Sequence, residues 1–121
     1  MIINLTGEPF RLYQPDAPDV ITDDQLNAGC IVFPATATTA YVNLHHLGAG
    51  PQTFHEGRPQ RTQLVRPSVC DLPPSRPHTY LLVDAVVGLC VRGRADLLIG
   101  FDHVNDSAGA VAGYRHLVSP C

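Results

Sequence analysis

Apolar residues in this chain come in short clusters separated by proline, glycine and carboxylates, a spacing that favours strands over long helices. The stretch Thr79 to Phe101, TYLLVDAVVGLCVRGRADLLIGF, is the most structured of them. Tyr80 to Val83 has the aromatic and β-branched content of a buried strand. Asp84 interrupts the run and is placed to cap a helix expected over Ala85 to Arg92, where its charge suits the positive end of the helix dipole. Arg92 falls in the last turn, and Gly93 can take the left-handed conformation that ends a helix. Gly88 and the three valines Val86, Val87 and Val91 weaken that helix, because glycine is costly in a helix and β-branched residues also suit a strand.

The same reading along the rest of the chain predicts strands at Ile2 to Leu5, Pro9 to Tyr13, Cys30 to Phe33, Thr38 to Leu44 and Gln60 to Arg66. Leu97 to Val104 and Val111 to Val118 form the clearest hairpin, closed by Asn105-Asp106-Ser107-Ala108-Gly109. Pro15 and Pro18 make the acidic segment between the second and third strands a loop. Pro67, Pro73, Pro74 and Pro77 predict an irregular crossing before the central strand. The expected fold is α+β and mostly β: a small, mainly antiparallel sheet or partly closed barrel of about seven or eight short strands, with one short helix at 84–93, in a single domain over 1–121.

Hydrophobic residues at 45% and charged residues at 16% describe a folded globule and exclude a disordered tail. The net charge of -3 offers no general attraction to nucleic acid or to an anionic membrane. No apolar run approaches the ~20 residues that span a bilayer, and no leader pattern opens the chain, so the expected location is cytoplasmic, with Cys30, Cys70, Cys90 and Cys121 as reduced thiols. All eight basic residues are arginines, which a GC-rich genome would explain, but Arg58, Arg61, Arg66 and Arg76 fall in one segment and form a candidate anion pocket.

The opening Ile3-Asn4-Leu5-Thr6, the pair Leu72-Pro73, the run Thr79 to Val83, the Arg94-x-Asp96-Leu97-Leu98 step and the final hairpin together resemble small uncharacterised proteins of actinobacteria and their phages. Those proteins begin with Asn-Leu-Thr-Pro-His and end with a hairpin containing Val-Gly-Cys-Arg. The resemblance covers most of the chain and implies fold and origin rather than an activity. This chain has Gly7-Glu8 in place of Pro-His, Asp84 where a serine commonly follows the central strand, and Gly113-Tyr114-Arg115 in place of Gly-Cys-Arg. A role resting on that histidine is closed to it.

Candidate chemistry is sparse. His45 and His46 on a strand point to opposite faces, so at most one could join His55, and a metal site would need Glu56, Cys70 or His78 as well. No Cys-x-x-Cys or His-Glu-x-x-His is present, and neither a metal nor a cofactor is expected. No serine sits in a nucleophile elbow, and Cys70 beside His78 is the one conceivable nucleophile and base.

The remaining cluster is defined by connectivity: Asp84, His78, Arg61 and Arg66 lining one concave edge of the sheet. The arginines would hold a carboxylate or phosphate while His78 and Asp84 orient it, or Asp84 or His78 would act as a general base. The plainer reading is that Asp84 only caps the helix and the arginines face water. Two functions therefore stay open. One is a non-catalytic accessory protein, associated with a phage or a gene cluster, that binds a small anionic ligand or a protein partner. The other is a cofactor-free lyase, cyclase or isomerase. Exposed sheet edges add a homodimer to the candidate partners.

Overall fold

The computed structural model describes residues 1–120. Its centre is a six-stranded, nearly closed, barrel-like sheet in the order β1 (Ile2–Asn4), β8 (Tyr80–Leu82), β9 (Leu97–Asn105), β10 (Val111–Val118), β2 (Phe10–Tyr13) and β3 (Cys30–Phe33). Of the two architectures left open by the sequence, the partly closed barrel is the one that forms. Its pairings are mixed: β1 with β8, β8 with β9 and β10 with β2 run parallel, while β9 with β10 and β2 with β3 run antiparallel.

The parallel pair β8 and β9 is joined by α1 (Ala85–Cys90), because parallel neighbours need a crossover and the six-residue helix supplies it. The helix is shorter than its sequence signals suggest. Val91 is already extended and packs on the core, so the chain leaves the helix before Arg92 and Gly93, and Arg92 is not in its last turn. Val87 and Gly88 are the buried face of α1, and a Cβ on Gly88 would come within 2.6 Å of Ile99, so glycine is what allows the helix to sit this close to β9.

Two apolar clusters hold the body together. Leu5, Ala40, Leu81, Val83, Val87 and Leu97 fill the space between sheet and helix, and Tyr13, Ile21 and Val104 anchor the long acidic loop. Arg115 pins that loop: its guanidinium donates to the Ala17 carbonyl at 2.8 and 2.9 Å, to Asp19 at 2.7 Å and to Asp102 at 2.9 Å.

Asn4 closes the seam between the two edge strands. It is 2% exposed, and its side-chain amide donates to the Glu8 carbonyl at 2.7 Å and to the Phe33 carbonyl at 2.9 Å, while its carbonyl accepts from the Thr6 amide and hydroxyl. A side chain thus stands in for a ladder between β1 and β3. The Asn-Leu-Thr opening is a structural knot, with Leu5 in the core beside it.

Outside the barrel, β4 (Tyr41–Ala49) and β7 (Gln63–Cys70) form an antiparallel ribbon, continued at its tip by β5 (Thr53–His55) and β6 (Arg58–Gln60). The tip turns through Glu56 and Gly57, both at positive φ, as a two-residue hairpin loop with right-handed strand twist requires. Pro67 lies inside β7, opposite Leu44, and not in the irregular crossing that begins at Asp71. A two-stranded ribbon has two edges, and a proline without an N–H is tolerated on an edge.

Candidate functional site

Among the described residues, two hollows bear on the candidate site residues. The first, of about 270 Å³, lies off the carboxyl ends of the parallel strands β1 and β8, a position where open sheets commonly form crevices. Phe10 and Tyr114 line it as a stacked pair with centroids 5.2 Å apart. Gly100 permits this stacking, since a Cβ there would stand 2.5 Å from the Tyr114 ring. Glu8 and Asp84 contribute the carboxylates and Arg11 one cation, with Val83 and Val111 among the apolar walls.

Asp84 occupies the cap position of α1 without making the side-chain capping bond that its place in the sequence suggests. Its carboxyl has a pKa above the ordinary range, first because the hollow partly removes it from water and second because of the charge on Glu8. Glu8 is the residue that sequence reasoning missed. Nothing local in the sequence signals that it lines the same hollow as Asp84.

The second hollow, of about 560 Å³, is shallower and lies at the other end of β8. His78 and Arg76 line it together with Arg94 and Asp96. Arg94 is committed: it grips Asp96 through two bonds of 2.6 and 3.0 Å and donates to the Pro73 carbonyl at 2.8 Å. That grip holds the Asp96 carboxyl below its ordinary pKa.

The four residues expected to share one edge do not meet. Asp84 and His78 line different hollows, at opposite ends of β8. Arg61 and Arg66 line neither hollow, because they belong to the ribbon: Arg66 sits in β7 opposite His45, and Arg61 lies between β6 and β7, both exposed. The anion pocket made of these arginines is therefore corrected. Physically, the ribbon carries its cations outward instead of folding them against the helix start.

Nor does the Asp84–His78 pair form a proton relay. Among the described residues, those lining the first hollow include no histidine, cysteine or serine, so its charged groups are two carboxyls and one guanidinium beside an aromatic pair.

On the ribbon, His45 meets Ser68 at 2.7 Å and His46 meets Gln63, so the adjacent histidines do point to opposite faces. Among the described residues no three His, Cys, Asp or Glu side chains stand where they could share a metal ion. Cys30, Cys70 and Cys90 are free thiols, Cys70 lying opposite Tyr41 at the ribbon base rather than beside His78; Cys121 is outside the described residues. No described helix is long and apolar enough to cross a membrane.

The ribbon itself is the larger anomaly. One face carries Val42 opposite Val69, Leu44 opposite Pro67, and Val65 opposite His46. Val42 and Val69 pack on the main core cluster, but further out Leu44 is 61% and Val65 47% exposed, with Phe54 at 69% on the tip. An apolar face that starts in the core thus runs on uncovered. The chain matches no family model, and no curated protein or solved structure shows significant similarity to it.

Proposed function

We propose that this protein is a non-catalytic accessory module that binds a protein partner through its β-ribbon. The observation carrying this reading is the uncovered apolar face from Leu44 to Val65, with Phe54 beyond it. Isolated two-stranded ribbons are marginally stable in water and gain from a third surface, while contiguous apolar patches on soluble proteins commonly mark contacts with other chains. Val42 and Val69 anchor the base of the ribbon on the core, which lessens the ordering that binding would require. A catalytic role has less support, since the proposed acid and base, Asp84 and His78, line separate hollows.

The test compares the parent protein with a ribbon variant carrying Leu44→Ser, Phe54→Ser and Val65→Ser, each immobilised and exposed to extract of the source cells. All three side chains are mostly exposed or half-exposed, so the variant should fold and melt within a few degrees of the parent. The parent should retain proteins that the variant does not. Identical sets retained by both would overturn the proposal.

A further inference from the structure

The distribution of charge points to what covers the ribbon. Between Tyr41 and Cys70 the chain has three arginines, Arg58, Arg61 and Arg66, against the single carboxylate Glu56, a formal charge of +2. The remainder has five arginines against ten carboxylates, or -5, and the two parts together make the -3 of the whole chain. The protein is therefore divided into a cationic ribbon with a bare apolar face and an anionic body.

We infer that the ribbon of one copy docks on the body of a second copy, at the hollow lined by Glu8, Asp84, Phe10, Tyr114 and Val111. The inference rests on the binding role proposed for the ribbon and names the partner. Ribbon against ribbon would bring two positively charged elements together, whereas ribbon against body joins opposite charges. The receiving surface matches in kind as well as in sign. It offers Glu8 and Asp84, beside Arg11, for the guanidinium groups of Arg58 and Arg61 towards the outer end of the ribbon, and Val111, half-exposed at the hollow, for the apolar stripe.

A partner guanidinium beside Asp84 would also act against the upward shift of its carboxyl pKa, which burial causes first and the charge on Glu8 second. Each copy carries one ribbon and one hollow, so the contact joins unlike surfaces and closes either as a reciprocal pair or as a ring.

Sedimentation of three proteins tests this: the parent, the ribbon variant Leu44→Ser/Phe54→Ser/Val65→Ser, and a hollow variant Glu8→Lys/Asp84→Lys. Both carboxylates in the hollow variant are exposed, and its far-ultraviolet dichroism confirms folding. The parent should associate with rising concentration and less so at high salt, its mass showing how the contact closes. Each variant alone should remain a monomer. An equimolar mixture of the two should recover a complex, because one supplies the intact ribbon and the other the intact hollow.

A parent that is monomeric at every concentration, a ribbon variant that still assembles, or a mixture that stays monomeric overturns the inference. If the parent is monomeric but still retains foreign proteins through its ribbon, only the second-copy assignment fails. Loss of every ribbon-dependent interaction removes the broader reading too.

Discussion

Asn4 gives the sharpest test of what holds the barrel shut. The side chain is buried and makes four bonds of 2.7 to 2.9 Å: two donated to the carbonyls of Glu8 and Phe33, and two accepted from Thr6. At about 1 kcal/mol net for each bond, with some relaxation of the exposed partners, Asn4→Ala should cost about 3 kcal/mol. With an unfolding entropy of about 2.1 cal/mol/K per residue over 121 residues, the melting temperature should fall by about 12 °C.

Asn4→Asp is the more discriminating change, because it keeps the shape and the two accepted bonds but removes both donors. At neutral pH a buried carboxylate then faces two carbonyl oxygens. When protonated, it can donate to one of them. The folded-state pKa of the new carboxyl is therefore raised above its unfolded value, so the folded chain binds more protons and this variant loses stability as pH rises through and above about 3.9. Urea unfolding of the parent and both variants at pH 4.5 and pH 7 measures this directly. Asn4→Asp should lie further below the parent at pH 7 than at pH 4.5. An Asn4→Ala variant as stable as the parent, or an Asn4→Asp variant with the same deficit at both pH values, would refute the knot.

Three further predictions concern the body. Arg115→Met removes the donor that clamps Ala17, Asp19 and Asp102, and should lower stability by about 2 kcal/mol in urea unfolding, a figure reduced for the exposure of the two carboxylates. A loss no larger than that of Arg92→Met, an exposed arginine, would remove Arg115 from the list of anchors.

The carboxyls Asp84 and Asp96 should show opposite pH behaviour. Asp84 is raised by burial and Glu8, so its ionisation opposes folding above the ordinary carboxyl pKa, and Asp84→Asn should be at least as stable as the parent at pH 7, with the advantage vanishing in acid. Asp96 is lowered by Arg94, so its contribution is present above the unfolded pKa and lost as pH falls through the folded value; Asp96→Asn should be weaker at pH 7 and converge with the parent in acid. Parallel stability curves for the parent and either variant would contradict that assignment.

Gly113→Ala would place a Cβ 2.4 Å from the Arg11 carbonyl oxygen and 2.6 Å from the Tyr13 ring, forcing β10 away from β2 at a cost of about 1 to 3 kcal/mol. An unchanged denaturation midpoint would show that the two strands have more room than this packing allows.

Local pattern carried most of the secondary structure. The alternation in Val111 to Val118, the turn built on Asp106 and Gly109, and the apolar run at Tyr80 are legible because their causes lie within a few residues; in the turn, Asp106 accepts from the amides of Ala108 and Ala110, at 2.9 and 3.0 Å. The tip hairpin at Thr53 to Gln60 was not legible, since it is exposed on both faces and has no buried face to impose a period. Pro67 misled for a related reason. Proline argues against a strand only when the strand has neighbours on both sides, and the number of neighbours is not written locally.

The chain by itself determined where the six barrel strands lie, that one short helix follows Asp84, and that its charge is divided between a basic segment and an acidic remainder, whereas the ribbon strands Tyr41–Ala49 and Gln63–Cys70 run several residues beyond the expected Thr38 to Leu44 and Gln60 to Arg66. Only the tertiary structure decided that Glu8, not Arg61 or Arg66, would share a hollow with Asp84, and that the basic segment would stand out from the body with apolar side chains uncovered. The physical reason is range. Backbone preference and side-chain alternation act between near neighbours, whereas which groups share a hollow depends on parallel pairings that join distant parts of the chain and leave no local mark.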